Sequence, residues 1–188
     1  MVQALTKTYS FEEYLAFDDG TDNKYELFNG ELKLMPTASG FHALILHFLF
    51  NFLEQEIRRL KQDWKVMPST IGVRTDKRKS RIPDLVILSA QQCQEIRKMK
   101  TAVLESSPLL AIEIVSPNNR EDDYRYKRSE YAVIGITEYW IVDPELEKVS
   151  ILSLVSGFYD VAEFQGNQAI ISSLFPDLTL TAHDIFSV

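Results

Sequence analysis

The most regular apolar pattern in the chain runs from Gly40 to Lys61. Apolar side chains recur there every three or four residues, which is the spacing of one face of an α-helix, and charged residues collect at the end of the segment. The pattern predicts one long amphipathic helix that covers the core. Its apolar positions are Phe41, Leu44, Ile45, Phe48, Leu49, Phe52, Leu53, Ile57 and Leu60.

Shorter apolar or alternating stretches predict strands. Residues 24–28 and 31–35 flank Asn29-Gly30, the strongest short-range hairpin signal. A second hairpin is predicted within residues 148–162, around Ser156-Gly157. The other predicted strands are residues 64–74, 82–88, 109–115 and 138–142, with a basic turn TDKRKSR between the first two and a last strand or turn near 169–180.

Caps and composition predict three further helices. These are residues 11–18, opened by a capping box of Ser10 and Glu13; the polar stretch 90–104; and a helix capped by Asn119 or Asp122 that runs to Ile134 and stops at Gly135.

Helices interleaved with strands predict an α/β fold. We expect a mixed β-sheet flanked by helices on both faces, with N-terminal and C-terminal β-hairpins, in a single domain over residues 1–188. Sheets of this kind tend to bind ligands at the carboxyl ends of their central strands.

One carboxylate interrupts the apolar strand LLAIEIV. Leu109 to Val115 otherwise has the composition of a fully buried strand, and Glu113 lies two residues from its end. An ionised carboxylate without a partner in low dielectric costs several kcal/mol. Glu113 must therefore be paired, metal-bound, protonated or placed at a water-filled end of the strand.

The charges are unevenly distributed along the chain. The net charge is −7, yet residues 57–128 carry 16 basic and 9 acidic side chains between two acidic flanks. Solvated helix faces and loops are the ordinary explanation. The alternative is a surface that faces nucleic-acid phosphates. The residues predicted to make that contact are Arg74, Lys77, Arg78, Lys79, Arg81, Arg120, Arg125 and Arg128.

Several common kinds of site are excluded because their signatures are missing. The sequence has no phosphate-binding glycine loop, dinucleotide fingerprint, serine-hydrolase elbow or HExxH motif, and its one cysteine, Cys93, excludes an internal disulfide. His42 and His47 are five residues apart on one helix, so they point about 140° away from each other. His42 could face a cleft. No membrane-length apolar run or signal-peptide pattern occurs, which predicts a cytoplasmic protein.

Three residues join Glu113 as candidates for chemistry. Asp84 begins the apolar run LVIL, where a strand-edge cap is the alternative. Glu26 lies in the YELF strand, where simple exposure is the alternative. Lys127 lies on the helix after the Glu113 strand, where a solvated face is the usual explanation. That helix face carries residues at four-residue steps, namely Asp123, Lys127, Tyr131 and Gly135.

Together these residue types fit a magnesium-dependent reaction. Mg²⁺ is held by one or two protein carboxylates and keeps its other positions for water and substrate phosphate. A nearby ammonium can orient the attacking water and stabilise the charge that grows on the phosphate. These groups are the minimal equipment for phosphodiester hydrolysis.

The sequence resembles the bacterial, restriction-endonuclease-like Uma-two family of the PD-(D/E)XK nuclease superfamily. The resemblance covers nearly the whole chain and is carried by YELFNGEL, PDLVIL, AIEIVSPNN and DYRYKRSEYAVIGITEYWIVDP. The last segment is the most specific, because its D-x-x-x-K-x-x-x-Y-x-x-x-G spacing before EYWIVDP is hard to obtain by chance.

The resemblance implies roles for individual residues. Asp84 and Glu113 are expected to bind Mg²⁺, for which Mn²⁺ can substitute, with the Ile114 carbonyl as a further candidate ligand and Glu26 as an additional acidic residue. The superfamily lysine stands two residues after the glutamate, where this chain has Val115. The resemblance therefore implies that Lys127 takes over the lysine's role from the next helix.

Three functions remain as hypotheses. The leading one is a Mg²⁺-dependent endonuclease that hydrolyses DNA, expected to be a homodimer because cutting both strands of a duplex favours two-fold symmetry. Val115 and the acidic flanks motivate the second, a catalytically inactive binding or assembly module. The third is a hydrolase of another phosphate substrate. Four tail aromatics either form a dimer surface or close the core, namely Phe158, Tyr159, Phe164 and Phe175.

Overall fold

The computed structural model describes residues 7–188. Residues 1–6, which belong to the predicted domain and to the segment that the signal-peptide prediction concerns, lie outside the described part. The helices are α1 (Phe11–Leu15), α2 (Gly40–Arg59), α3 (Ala90–Ile96), α4 (Arg128–Ile134) and α5 (Ala182–Phe186). The strands are β1 (Tyr25–Phe28), β2 (Glu31–Leu34), β3 (Lys65–Pro68), β4 (Gly72–Asp76), β5 (Lys79–Arg81), β6 (Leu85–Leu88), β7 (Val103–Leu104), β8 (Leu110–Ile114), β9 (Glu138–Asp143), β10 (Lys148–Val155) and β11 (Phe158–Gln165).

Six strands form a mixed central sheet in the order β11-β10-β9-β8-β6-β3. Strand β8 pairs in parallel with β9 and antiparallel with β6. Because both faces are covered, β6, β8 and β9 are buried along their whole length. This agrees with the predicted mixed sheet between layers.

The two faces of the central sheet bury different partners. One face packs against α2, whose buried residues Ile45, Leu49, Leu53 and Ile57 have the predicted helical spacing. The opposite face packs with Tyr131 of α4 and with strands of a second sheet. Glu113 shares this second face with Ala111 and Val115, since side chains on a strand alternate.

The second sheet was not predicted. It has five strands in the order β2-β1-β5-β4-β7, so the N-terminal hairpin extends this sheet rather than the central one. A small cluster of Phe11, Tyr14, Leu27 and Val103 attaches α1 to it.

Both predicted hairpins are confirmed, because their turn residues have the backbone that the two-residue turn requires. Asn29 and Gly30 have φ of 51° and 88°, and Ser156 and Gly157 have φ of 50° and 86°. Positive φ at both positions gives a turn whose twist matches the flanking strands. Strands β1 and β2, and β10 and β11, pair in the expected antiparallel register.

The single strand predicted over residues 64–74 is wrong, and the basic turn predicted after it is shorter than expected, since only Lys77 and Arg78 form a turn. Residues of this stretch form β3 in the central sheet and β4 in the second sheet, and the chain crosses between the sheets near Ser69, where φ is 27°. Most of TDKRKSR is strand, because β4 and β5 form a tight hairpin. Alternating apolar residues show that a segment is extended but do not show which sheet it joins.

The other helices are mostly in place but differ in extent. The capping box of Ser10 and Glu13 is present. The helix predicted over 90–104 ends at Ile96, and the short strand β7 follows. Gly135 ends α4 with φ of 84°, as expected. The chain before α4 is helical from Arg120 and π-helical over Asp122–Lys127. The predicted cap by Asp122 is wrong, because this residue lies inside the helical segment and its side chain accepts from Arg81.

The tail aromatics mostly close the core. Tyr159, Phe164 and Phe175 are buried, whereas Phe158 is 79% exposed.

Within residues 7–188, none of the helices has the length and apolar character needed to cross a membrane.

Candidate functional site

Asp84 lies at the edge of the central sheet where β6 begins. Its Oδ2 accepts a hydrogen bond from the Ile114 amide at 2.8 Å, and its Oδ1 lies 3.1 Å from His42 Nε2. His42 comes from the first turn of α2, and its ring reaches the sheet edge at Asp84. The side chains of Asp84 and His42 are 13% and 15% exposed, which places them at the rim of the site.

Glu113 lies beside Asp84 on the neighbouring strand. Leu85 pairs with Ile112 in the antiparallel register, so the adjacent residues Asp84 and Glu113 meet at the same edge of the sheet. The Glu113 side chain is buried and accepts a hydrogen bond from Tyr131 Oη at 2.6 Å. Its other oxygen lies 2.8 Å from Lys127 Nζ. Of the options for this buried carboxylate, the structure shows pairing.

Lys127 reaches Glu113 from the π-helical segment. The lysine is 6% exposed, and its Nζ also lies 2.9 Å from Asp123 Oδ1, four residues earlier. The solvated-face interpretation of Lys127 is therefore wrong. The four-residue spacing of Asp123, Lys127 and Tyr131 turns all three side chains toward Glu113 and the sheet.

Burial and excess negative charge shift the pKa values in this cluster. Burial raises the pKa of Glu113 well above its usual value, against the opposing effect of Lys127. Burial also raises the pKa of Asp123 from 3.8 to about 6. Desolvation alone would lower the pKa of Lys127, but Glu113 and Asp123 outweigh it and raise that pKa well above normal. The Lys127 ammonium is thus the shared counter-charge of Glu113 and Asp123, and the nearby Asp84 adds further negative charge.

Glu26 lies near this cluster but has its own partners. It is 7% exposed, so simple exposure on β1 is ruled out. Its Oε1 accepts from the Ile82 amide at 2.9 Å, and its Oε2 accepts from Arg81 at 3.0 Å. Its charge contributes to the raised pKa of Glu113, but no hydrogen bond joins the two carboxylates directly.

The sequence is similar to one protein family over most of its length. The model of the family described as "Uma2: Putative restriction endonuclease" matches residues 11–183. The chain belongs to the Uma2 family. A solved structure with the same fold is a crystal structure of a putative nuclease belonging to DUF820 from Anabaena variabilis ATCC 29413. It has 17% sequence identity, a TM-score of 0.77, and coverage of 95% of this chain and 97% of that chain. No curated protein sequence matches the chain.

The donor set of this Uma2 chain fits a magnesium ion that keeps several waters. Within residues 7–188, no three His, Cys, Asp or Glu side chains are arranged to enclose a metal ion. Mg²⁺ does not need such a cage, since one or two carboxylates and substrate phosphates can hold it. Asp84 and Glu113 meet at one sheet edge, where burial and, to a smaller extent, the charges of Asp123 and Asp84 raise the pKa of Glu113; a bound cation would oppose both effects.

Most of the basic residues predicted to contact phosphates already have partners in the fold. Arg81 is the clearest correction, because it is fully buried among carboxylates and cannot reach a nucleic acid. The others pair as follows: Arg74 with Glu105, Arg120 with Asp143 and Glu145, Arg125 with Glu121, Lys79 with Glu130, and Arg78 and Arg128 with backbone carbonyls.

Lys77 differs from these residues. It lies at the exposed tip of the β4–β5 hairpin and has no ion pair within the described chain. An exposed cation on a hairpin tip is available to a phosphate without the loss of an internal contact.

Two residues of the site were missed as site residues, although their spacing was visible. Asp123 and Tyr131 occupy the same helix face as Lys127, and both contact the central cluster. The i, i+4 spacing indicates a shared face but does not indicate whether the face points to solvent or to a buried carboxylate. In the structure Lys127 and Tyr131 contact Glu113, so this face points to the buried carboxylate. Glu113 belongs to a different element, β8, and the spacing within the helix could not show the contact.

Proposed function

We propose that this protein is a Mg²⁺-dependent endonuclease that hydrolyses DNA phosphodiester bonds. The observation that carries the proposal is the ion pair between Lys127 and Glu113, 2.8 Å long, at the strand edge that also holds Asp84. It supplies an ammonium next to the carboxylates although Val115 occupies the usual lysine position. Membership of the Uma2 family supports the same reaction class.

Each side chain has a definite task in the proposed reaction. Asp84 and Glu113, with the Ile114 carbonyl, would hold a magnesium ion, which would supply Lewis-acid chemistry at the scissile phosphate and activation of a water. Lys127 orients the attacking water and stabilises negative charge on the phosphate oxygens. His42 holds the Asp84 carboxylate at 3.1 Å, and Tyr131 holds Glu113 at 2.6 Å. Glu26 is an additional acidic group behind the site.

DNA would approach the rim formed by His42 and Asp84, which are the exposed edge of the cluster. Exposed basic residues such as Lys77 contact the phosphate backbone in this proposal, whereas Arg81 does not. A homodimer would place two sites on the two strands of a duplex.

A plasmid-nicking assay with Mg²⁺ or Mn²⁺ tests the proposal. Asp84→Asn and Lys127→Ala should each lower the cleavage rate by about 100-fold or more, since one removes a metal ligand and the other a charge-stabilising group. Lys148→Ala is the matched control, because Lys148 forms an ion pair with the half-exposed Glu163 and contacts none of the proposed catalytic residues within the described chain. Cleavage that persists at the wild-type rate in Lys127→Ala would refute the mechanism.

The internal ion pairs of the site favour one second candidate, a catalytically inactive binding or assembly module. Lys127 is paired with Glu113 and Asp123 without any metal, so the fold compensates part of the buried charge by itself. Thermal unfolding separates the two functions. An endonuclease site raises the unfolding midpoint with Mn²⁺ in wild type and not in Asp84→Asn, whereas an inactive module shows no metal-dependent rise in either protein.

A further inference from the structure

Arg81 is the centre of a buried charge cluster behind the site. It ends β5, its side chain is 0% exposed, and its guanidinium donates to three carboxylates from three parts of the chain. The distances are 3.0 Å to Glu26, 3.0 and 3.2 Å to Asp122, and 2.8 and 3.0 Å to Glu130. A planar guanidinium suits this task, because its five donors form a rigid fork.

Two of these carboxylates flank the segment that carries the site lysine. Asp122 begins the π-helical segment Asp122–Lys127, and Glu130 lies on α4, three residues after Lys127. Residues three apart on a helix share a face, so Arg81 holds the helix on both sides of the lysine. The third carboxylate, Glu26, belongs to the second sheet. The guanidinium therefore ties that sheet to both ends of the lysine-bearing segment.

The π-helical segment combines local ion pairs, Lys127 with Asp123 and Arg125 with Glu121, with contacts from distant parts of the chain. A π-helix is a rare conformation and usually occurs as a single turn at functional sites. Here its first residue follows Glu121, which makes no side-chain cap. The local ion pairs move with the helix, so the position of the helix relative to the sheets, and with it the reach of Lys127 Nζ to Glu113, depends on contacts from outside the helix. The contacts of Asp122 and Glu130 with Arg81 are among these.

We propose that Arg81 is a positioning residue, which holds the π-helical segment so that Lys127 reaches Glu113. For catalysis this inference rests on the proposed function. For the placement of Lys127 it does not. Thr75 and Lys79 support the same arrangement, because both also contact Glu130, at 2.8 and 3.2 Å.

The first test measures the accessibility of Lys127 without any nuclease assay. Native protein is acylated with an amine-reactive ester, and modification of Lys127 is followed by peptide mass spectrometry. In wild type this buried, ion-paired lysine should react slowly. In Arg81→Lys, which keeps the charge but loses the fork, Lys127 should react about 10-fold or more faster. Thr75→Val, a milder change of the same cluster, should give a smaller increase.

Glu138→Gln is the control for general destabilisation. Glu138 is also a fully buried carboxylate with several donors, but it lies at the opposite end of the β8–β9 pair, where its partner is Leu110. The unfolding midpoint of Glu138→Gln should be lower than that of wild type. Lys127 in this variant should nevertheless be acylated at the wild-type rate. The proposal is overturned if Lys127 reacts at the wild-type rate in Arg81→Lys, or if Glu138→Gln accelerates it equally at a matched unfolding midpoint.

A second test uses cleavage kinetics. Loss of an outer-shell contact at a metal site typically costs about 10–100-fold in activity. By the same measure Arg81→Lys should lower kcat by about that factor and leave KM for DNA unchanged. A raised KM with unchanged kcat would show that Arg81 acts in DNA binding and would overturn the proposal. If wild type cleaves no DNA, the proposed function fails, and the acylation rates still decide whether Arg81 positions Lys127.

Discussion

Replacing Lys127 with methionine should destabilise the protein strongly, because two buried carboxylates lose their shared counter-charge. Lys127 Nζ lies 2.8 Å from Glu113 and 2.9 Å from Asp123, and all three side chains are buried. Removing one partner of a buried ion pair costs about 3–5 kcal/mol. At about 2–4 °C per kcal/mol for a chain of this length, the unfolding midpoint should fall by about 6–20 °C.

The size of this loss should depend on pH. The pKa of Asp123 is about 6 in the folded protein and 3.8 without the fold, so the folded state binds more protons between these values. Its contribution to stability is therefore present below pH 4 and is lost as the pH rises through 6. Lys127 lowers the pKa of both Glu113 and Asp123, so its removal should raise both values and move this loss to higher pH. The variant should be more strongly destabilised at pH 8 than at pH 5.

Thermal and chemical unfolding of wild type and Lys127→Met at pH 5 and pH 8 measure both effects. Lys148→Met is the matched control. Lys148 forms an ion pair with Glu163 at 2.8 Å, but the Glu163 side chain is half-exposed. Such a surface pair contributes about 0–1 kcal/mol. Equal loss of stability in the two lysine variants, or a Lys127→Met loss that is the same at both pH values, would refute this account of the site.

Three further predictions concern single contacts. Tyr131→Phe removes the 2.6 Å hydrogen bond to Glu113 and should cost about 1–3 kcal/mol in urea unfolding; a change within error would mean that the bond is not formed in solution. Glu138→Gln should lower the free energy of unfolding by about 1.5–3 kcal/mol, because this carboxylate accepts hydrogen bonds from Trp140, Ser172 and Ser173. The affinity for Mn²⁺, measured by calorimetry, should stay unchanged. Gly135→Ala should cost about 1–2 kcal/mol from backbone strain alone, since φ is 84° and nothing lies within 4 Å of an added Cβ; an unchanged denaturation midpoint would contradict this.

Local sequence determined the elements whose signals act over a few residues. Asn29-Gly30 and Ser156-Gly157 specify their turns because these residue types tolerate positive φ, and the structure has that backbone at all four positions. The spacing of apolar residues likewise determined α2 and the buried strand around Glu113. Such features were predictable because their energetic causes lie within the same short segment.

The sequence also indicated most of the site residues, through their types and through family resemblance. Asp84, Glu113 and Lys127 are brought together as expected. The resemblance does not indicate why Lys127 can reach Glu113. In the structure Lys127 reaches Glu113 from the π-helical segment, whose first residue Asp122 pairs with Arg81, and residue spacing alone does not show this arrangement.

Only the tertiary structure decided which charges are buried and with which partners. Arg81 lies in a basic run that predicts an exposed turn, yet it is the most completely buried cation of the described chain and pairs with residues 41 to 55 positions away. The same long-range packing divided residues 64–74 between two sheets. A residue's own chemistry sets the cost of burying its charge, but the partner that offsets this cost comes from distant segments. The identity of that partner is therefore determined by the packing of the sheets and helices, and not by the local pattern.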